Sequence, residues 1–213
     1  MFASAGHPAR FPATGHRLDW LGLKNHMKNI FCALLTAALL AGCASTPEVT
    51  TYVDPLTNQR TDLLSENELP APGGAQPREI VWLNASRMPV NRTKYQTYLE
   101  VLYAVNAEAG PLDIYPGRTL TVIADGQELK FSGLGSMNSR KEKSGILYES
   151  ALYEAQPSDI ETIANAQKVT VLVQGKNQLV ERNFGPENFQ RFKQFAQKLS
   201  TQSAGASYNW KGL

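Results

Sequence analysis

From Arg78 onward, short apolar runs alternate with polar and turn-forming residues along the chain. Seven runs are rich in β-branched and aromatic residues, which is typical of strands. Six of them fit a strand only, whereas residues 146–155 also fit a short helix, and we favour a strand there. Because most of the connecting turns are short, we expect neighbouring strands to pair antiparallel. The seven runs are residues 80–83, 94–105, 120–124, 127–131, 146–155, 168–173 and 178–184.

Two further patterns predict helices. The first helix begins at Pro157-Ser158, because Ser158 and Glu161 have the spacing of a capping box. The second begins at Gly185-Pro186-Glu187, since proline suits the first helical turn and glutamate suits the positive helix end. The aromatic stripe of the second helix is expected to pack on the sheet, with an open groove or a face for a partner helix as the alternative. Its apolar side consists of Phe189, Phe192, Phe195, Ala196 and Leu199.

Together these elements predict an α+β fold: a mainly antiparallel sheet of about seven strands with two helices, the last C-terminal and amphipathic. The folded domain is expected to span residues 78–199, with Met88-Pro89 ending its first strand and residues 200–213 forming a polar tail. Asp125-Gly126 lies between two strand-like runs and predicts a type I′ turn. Asp125 is therefore interpreted as a turn residue rather than a catalytic acid.

The N-terminal part of the chain has a different pattern. Residues 30–41, IFCALLTAALLA, form an apolar run that contains one polar residue, Thr36. Such a run is too short to span a bilayer, which takes about 20 residues, but it suits the core of a signal peptide. Lys28 precedes the run, and Leu40-Ala41-Gly42-Cys43 ends it. This arrangement closely resembles the lipobox of bacterial lipoproteins.

The resemblance implies that the chain is cleaved before Cys43. It also implies a diacylglyceryl thioether on the Cys43 sulfur and an acyl chain such as palmitate on the new amino group. The alternative, a buried or disulfide-bonded Cys43, leaves only Cys32 as a partner, and Cys32 lies inside the segment to be removed. Met27-Lys28-Asn29 looks like an ordinary signal-peptide start, so translation is expected to begin at Met27. Otherwise residues 1–42 form an unusually long leader and signal peptide.

The residue after the lipidated cysteine bears on the destination of the protein. In enterobacterial lipoproteins an aspartate there favours retention in the inner membrane, and this chain has Ala44. The resemblance therefore implies the outer membrane, on its periplasmic face, with several acyl chains as a stable anchor.

Cleavage also changes the charge of the protein. Residues 1–42 hold four of the 21 basic residues and one of the 19 acidic residues, so the net charge falls from +2 to −1. With that charge, the mature protein has no basic excess that would favour binding to nucleic acid. The expected partners are the membrane, through the lipid anchor, and an unidentified protein of the cell envelope.

Residues 43–77 are predicted to form a lipidated cysteine followed by a proline-rich tether. Five of the 12 prolines and the pair Gly73-Gly74 lie in this stretch. Fully extended, its residues after Cys43 would reach roughly 110 Å. The apolar pairs in 52–56 and 61–64 leave a second possibility open, a short hairpin that docks on the domain.

The body of the protein offers little reactive chemistry. All three histidines and both cysteines lie by Cys43, so the mature domain has no imidazole or thiolate for a catalytic triad or a zinc site. Neither a metal nor a cofactor is expected. Carboxylates remain as candidates by residue type, although a solvated face, a cap or a turn explains each of them better. These carboxylates are Asp113, Glu149, Glu154, Asp159 and Glu161.

Three other motifs are weak. Gly133-Leu134-Gly135-Ser136 lacks the Gly-Lys-Ser/Thr of a phosphate loop and precedes no helix pattern, so a flexible loop is favoured. The cluster 140–143, RKEK, is expected to be solvated, with contact to anionic lipid or peptidoglycan as the alternative. The glycosylation sequons at Asn84 and Asn91 carry no weight in a bacterial lipoprotein, and Asn84 is expected in a strand.

Three functions are compatible with this sequence. The first is a non-enzymatic interaction or accessory module of the cell envelope, and the second is a periplasmic module that binds a small ligand or lipid. The second needs an apolar cavity lined by residues such as Tyr98, Tyr103, Phe131 and Phe192. The third, a hydrolase working with carboxylates alone, is the least favoured.

Several segments of the body are similar to small proteobacterial lipoproteins of unknown function. The similarity implies a location in the envelope and assigns no catalytic residue. The segments are YVDPLTNQRTDLL (52–64), REIVWLNASR (78–87), LDIYPG (112–117), ADGQELKFSG (124–133) and the final strand–strand–helix.

Overall fold

The computed structural model describes residues 49–74, 79–91, 94–176 and 178–205. The predicted signal peptide, Cys43 and the end of the polar tail from residue 206 lie outside the described residues. No helix in the described ranges is long and apolar enough to cross a membrane.

Ten strands of the described chain form one sheet, and every pair of neighbours is antiparallel. Their order in the sheet is β1-β2-β3-β4-β8-β6-β5-β9-β10, with β7 beside the start of β8. The strands are β1 (Thr50–Val53), β2 (Arg60–Leu64), β3 (Glu79–Pro89), β4 (Tyr95–Asn106), β5 (Gly117–Ala124), β6 (Gln127–Gly133), β7 (Lys141–Lys143), β8 (Ile146–Ala155), β9 (Val169–Gln174) and β10 (Leu179–Asn183).

The predicted α+β class and the antiparallel sheet are confirmed, and residues 146–155 form a strand, as favoured. The count of about seven strands is too low, because β1, β2 and β7 also belong to the sheet. Strand β3 extends beyond the predicted apolar run 80–83 and ends at Pro89, so the predicted break at Met88-Pro89 is confirmed. Proline is tolerated there because β2 pairs with β3 only as far as Arg87, so no neighbour on that side needs the missing N–H.

The described residues contain two α-helices, α1 (Pro157–Asn165) and α2 (Pro186–Gly205), which begin where the sequence predicts. The cap of α1 lies two residues earlier than predicted. The N–H of Gln156 donates to Asp159 Oδ2 at 2.8 Å, so the capping pair is Gln156 and Asp159 rather than Ser158 and Glu161. Helix α2 continues to Gly205 and takes in the first residues of the predicted tail.

The hydrophobic core lies between the two helices and one face of the sheet. Phe192 and Phe195 of α2 are fully buried, as are Ile160 and Ile163 of α1. The prediction that the aromatic stripe packs on the sheet is confirmed for these two phenylalanines, and Phe189 packs at the edge of the same core. The open groove and the partner-helix face are therefore excluded for Phe192 and Phe195.

The sheet curls strongly enough to bring distant strands together. Arg182 Nη2 on β10 donates to Glu79 Oε1 at the start of β3 at 2.6 Å. Gln178, just before β10, donates from Nε2 to the hydroxyl of Tyr103 on β4 at 3.3 Å. These contacts join two regions that lie far apart in the strand order.

The proline-rich stretch is folded over much of its length. β1 and β2 form a hairpin that pairs through Asp62↔Arg87 and Leu64↔Ala85 with β3, so the docked-hairpin alternative describes residues 50–64. Beyond it, Leu69 is buried and its N–H bonds to Val81 O at 2.8 Å. The sheet thus begins at Thr50, well before the domain boundary that the sequence suggested at residue 78.

Candidate functional site

A buried carboxylate lies at the centre of a polar cluster in the described chain. Glu149 is on the inward face of β8, where its side chain is completely buried. Its Oε1 accepts the N–H of Ile114 at 2.7 Å, and its Oε2 accepts the N–H of Asp113 at 3.2 Å. Ser136, also fully buried, donates its hydroxyl to the same carboxylate. Three donors therefore satisfy this carboxylate.

The charge of Glu149 is balanced from the solvent side. Arg140 Nη2 lies 3.5 Å from Glu149 Oε1 and also bonds to Asp113 Oδ1. Lys176 Nζ approaches Asp113 Oδ2 at 3.8 Å. The hydrogen bond from Arg140 holds the pKa of the Asp113 carboxyl below its ordinary value. We call Asp113, Ser136, Arg140 and Glu149 the carboxylate network.

Two buried tyrosines lie near this network. The hydroxyl of Tyr153 is 3.0 Å from Thr119 Oγ1, and both residues are almost fully buried. Burial raises the pKa of Tyr153 to about 12, and the negative charge of Glu149 acts in the same direction. Burial also raises the pKa of Tyr103. Both tyrosines are therefore held in the neutral form.

The carboxylate network fastens two loops to the sheet. Residues 111–116 are held through the N–H groups of Asp113 and Ile114, and residues 134–140 through Ser136 and Arg140. The loops also touch each other, since Ser136 N donates to Ile114 O at 2.9 Å. Because Glu149 is enclosed and its oxygens are occupied, its arrangement is that of a structural clamp rather than of a reacting group.

The candidate carboxylates do not come together as a catalytic pair. The solvated interpretation of Glu149 is wrong, because its side chain points into the core and bonds to loops 13 to 36 residues away in the chain. Glu154 is exposed on the opposite face of β8, Asp159 caps α1, and Glu161 is exposed on α1. Asp113 is the one candidate that lies beside Glu149, and Arg140 neutralises it.

The other sequence motifs also have structural positions. Asp125 and Gly126 both have positive φ, 49° and 88°, as the predicted turn requires. The Asp125 carboxylate accepts the N–H groups of Gln167 and Lys168, so its role as a turn residue is confirmed. In the loop 133–136, Gly135 passes so close to Ile114 that a Cβ added to Gly135 would lie 2.8 Å from the carbonyl oxygen of Ile114.

Most of the basic cluster 140–143 is solvated, as predicted. Lys141, Glu142 and Lys143 form the exposed strand β7, whereas Arg140 turns inward to the carboxylate network. Asn84 lies in β3 and donates to Glu100 Oε2 at 3.2 Å. The residue Asn91 is described, but the rest of its sequon, 92–93, lies outside the described residues.

The residues named for an apolar ligand cavity are not gathered around one. Tyr103, Phe131 and Phe192 are buried in the packed core, at most 4% exposed. Tyr98 lies on the other face of β4 and is half-buried. Three grooves on the described surface, with volumes of about 550, 400 and 260 Å³, lie elsewhere, beside α2, β6 and α1. The groove of about 550 Å³ is lined by Glu66, Glu68, Pro70, Gly185, Pro186, Glu187, Asn188 and Arg191.

A second polar cluster fixes the start of the described chain, and no motif in the sequence predicts it. Lys198 Nζ of α2 donates to Val49 O at 2.8 Å and lies 3.8 Å from Asp62 Oδ1. Asp62 is fully buried and also accepts from Thr51 Oγ1 and Arg60 Nε. Val49 itself is buried. The chain is therefore anchored to α2 from Val49 on.

Within the described ranges, no group of three or more His, Cys, Asp or Glu side chains is placed to hold a metal ion. Comparisons with models of protein families, with curated proteins and with solved structures found no match.

Proposed function

We propose that this protein is a lipoprotein of the outer membrane, anchored on the periplasmic face through Cys43, and that its domain is a non-enzymatic interaction or accessory module of the envelope. The observation that carries the proposal is the lipobox Leu40-Ala41-Gly42-Cys43 at the end of a short apolar run. Its cysteine stands six positions before Val49, the first residue that the structure describes.

That spacing supports an anchored domain. Six residues reach at most about 20 Å when fully extended. Since Lys198 ties Val49 to α2, the distance that the chain can span from Cys43 cannot grow unless that contact breaks. A domain attached in this way stays near the membrane surface, in contrast to the long tether that the composition suggested.

The non-enzymatic part of the proposal rests on the hydrogen bonds and ion pairs that the candidate polar groups already make. Glu149 and Ser136 are enclosed and bonded to each other, and Asp113 is paired with Arg140. Of the remaining candidates, Asp159 caps α1, and Glu154 and Glu161 stand apart on exposed surfaces. This arrangement favours a scaffold that presents a surface over a site that activates a substrate.

Lipidation is tested by metabolic labelling with a fatty acid in the native host. The wild-type protein is expected to incorporate label and to fractionate with membranes, and Cys43→Ser is expected to lose both properties. Cys32→Ser serves as the matched control and should label like the wild type, because residue 32 is removed with the signal peptide. Persistent labelling of Cys43→Ser would overturn the proposal.

Sorting is tested by the residue after the cysteine. Ala44→Asp is expected to move the labelled protein from outer-membrane to inner-membrane fractions in an enterobacterial host, whereas Ala44→Ser is expected to leave it in place. Wild-type protein found in the inner membrane would contradict the outer-membrane assignment and leave lipidation intact.

The accessory role is tested by cross-linking in intact cells. The anchored wild-type protein is expected to give a defined cross-linked species that weakens when Cys43→Ser releases the domain from the membrane. Turnover of an envelope substrate by the purified domain, lost on Glu149→Gln without loss of folding, would refute the non-enzymatic assignment.

A further inference from the structure

The turn of the β1–β2 hairpin exposes a group of apolar side chains. Tyr52, Val53 and Leu56 are exposed to 60%, 47% and 94%. The three lie within five residues of one another, and β1 contains no charged residue. Proteins normally avoid uncharged edge strands with exposed apolar residues, because such strands promote association with other molecules. We call residues 52–59 the hairpin tip.

The tip is a well-defined turn. Asp54 Oδ1 accepts the N–H of Leu56 at 2.8 Å and that of Thr57 at 3.2 Å. The main chain of Asp54 bonds on both sides, with its N–H to Gln59 O and its carbonyl to the N–H of Asn58, each at 2.8 Å. The N–H of Leu56 also lowers the pKa of the Asp54 carboxyl. The one acidic group of the tip thus turns back onto the backbone, and the turn holds Leu56 outward.

The position of the tip in the chain limits what it can meet. Val49 is fixed to α2 by Lys198, and Tyr52 follows it by three residues, or about 10 Å along a strand. The six residue steps from Cys43 to Val49 extend at most about 20 Å. This length is enough to let the tip reach the bilayer surface. It also keeps the tip close to that surface, so the effective concentration of the tip at the bilayer is high.

We propose that the hairpin tip lies against the bilayer that carries the Cys43 lipid, with Leu56, Tyr52 and Val53 at the boundary between headgroups and acyl chains. The proposal rests on the lipid anchor proposed above. Tyrosine favours this boundary because its ring is apolar and its hydroxyl can stay hydrated, and leucine gains from leaving water. The lipid would hold the protein at the membrane, and the tip would set the orientation of the domain.

The test uses the full mature lipoprotein in vesicles of phosphatidylethanolamine and phosphatidylglycerol. Cys43 is the one cysteine from Cys43 onward, and acylation blocks its sulfur, so Leu56→Cys adds a single reactive thiol. That thiol is labelled with a fluorophore sensitive to polarity. The emission is expected to shift to shorter wavelength on reconstitution and to be quenched by spin-labelled lipid.

Leu134→Cys is the matched control. Leu134 is 90% exposed on the loop after β6, so it takes a label as easily as residue 56. Its emission is expected to stay at the wavelength found in water and to resist quenching by the lipid. Equal quenching at residues 56 and 134 would overturn the proposed orientation.

The remaining outcomes separate this proposal from the anchor itself. If both labels stay in water while the protein carries fatty acid and floats with vesicles, the contact of the tip is refuted and the anchor stands. If the protein carries no fatty acid and does not float, the proposed lipid anchor is refuted, and with it the contact of the tip. If protection of the label at residue 56 increases with the number of protein copies per vesicle, the tip binds a second copy and the lipid contact is refuted.

Discussion

A buried carboxylate is stable in a protein when other groups satisfy its charge and its lone pairs. Glu149 meets this condition through two backbone N–H groups, the Ser136 hydroxyl and the nearby Arg140. Each donor comes from a loop, so the carboxylate converts flexible connections into fixed parts of the domain. The contribution of Glu149 to the free energy of unfolding can therefore be predicted from these contacts.

We expect Glu149→Gln to destabilise the domain by about 2–4 kcal/mol. The amide removes the charge that balances Arg140 and turns an –NH₂ group toward N–H donors, which leaves buried donors unsatisfied. Urea unfolding of the mature chain carrying Cys43→Ser measures the effect. Glu154→Gln on the exposed face of the same strand is the control, with an expected change within about 0.5 kcal/mol. Equal effects of the two substitutions would contradict the clamp.

Tyr153 makes the stability depend on alkaline pH. An ordinary tyrosine ionises near pH 10.0, whereas the pKa of Tyr153 in the folded domain is raised to about 12. Between these values the unfolded chain releases a proton that the folded chain keeps, so raising the pH favours unfolding. The stability is complete below pH 10 and decreases above it, by up to about 3 kcal/mol for a two-unit shift.

Unfolding by urea at a series of pH values tests this prediction. Tyr153→Phe should flatten the decline between pH 10 and pH 12, because the phenylalanine has no proton to lose. Tyr103, whose pKa is also raised, should keep part of the decline in the variant. Curves of stability against pH that run parallel for the wild type and Tyr153→Phe would show that burial of Tyr153 is not the cause.

The role of Glu149 was beyond reach from the sequence for a physical reason. Its neighbours along β8, Tyr148 and Ser150, do not distinguish a buried glutamate from a solvated one. The donors that decide the matter lie 13 to 36 residues away and are assembled only by the fold. By contrast, the role of Asp125 followed from the next residue, because Asp-Gly encodes the turn locally.

At the scale of elements, predictability followed the strength of the local pattern. β4 and β9 have sustained apolar alternation and lie within one residue of their predicted bounds, whereas β5 begins three residues before the predicted run. β7, with the sequence KEK, is fully exposed and owes its strand conformation to pairing with β8. β1 and β2 are separated by a turn with Pro55, and their strand character depends on docking to β3.

The turn between β9 and β10 packs closely against the loop that contains Leu112. At Gly175, a Cβ would lie 2.1 Å from Leu112 O and 2.5 Å from its Cδ1. The turn therefore packs directly on the loop 111–116, which also holds the donors of Glu149. We expect Gly175→Ala to force the two segments apart and to cost roughly 1–3 kcal/mol of folding free energy.

Thermal unfolding compares this variant with Gly185→Ala. At Gly185 the nearest atom to an added Cβ, Pro70 Cγ, is 3.4 Å away, which is an ordinary contact. The control is expected to unfold close to the wild-type temperature. If Gly175→Ala unfolds there too, the turn and the loop are not in the tight contact described.

At the scale of the whole molecule, two contacts between distant parts of the chain help to hold the described domain together. One is the contact of Lys198 on α2 with Val49, which holds the first described residue of the chain to the last helix. The curl of the sheet brings β10 to the start of β3, where Arg182 and Glu79 form an ion pair. This pair joins segments about a hundred residues apart in the chain.

We expect Arg182→Met to lower the free energy of unfolding by about 1–3 kcal/mol, because it leaves the Glu79 carboxylate without its cation. The side chain of Arg182 is 7% exposed and that of Glu79 is 26% exposed, so water only partly replaces the lost contact. Urea unfolding gives the change, with the exposed Glu181→Gln as the control.

A double-mutant cycle with Glu79→Gln shows whether the ion pair itself causes the loss. If the pair closes the curled sheet, the double variant should be less destabilised than the sum of the single variants, by about 1 kcal/mol. Losses that add to within about 0.5 kcal/mol would mean that each residue acts through other neighbours. The contact between β10 and β3 would then be a consequence of the curl and not one of its supports.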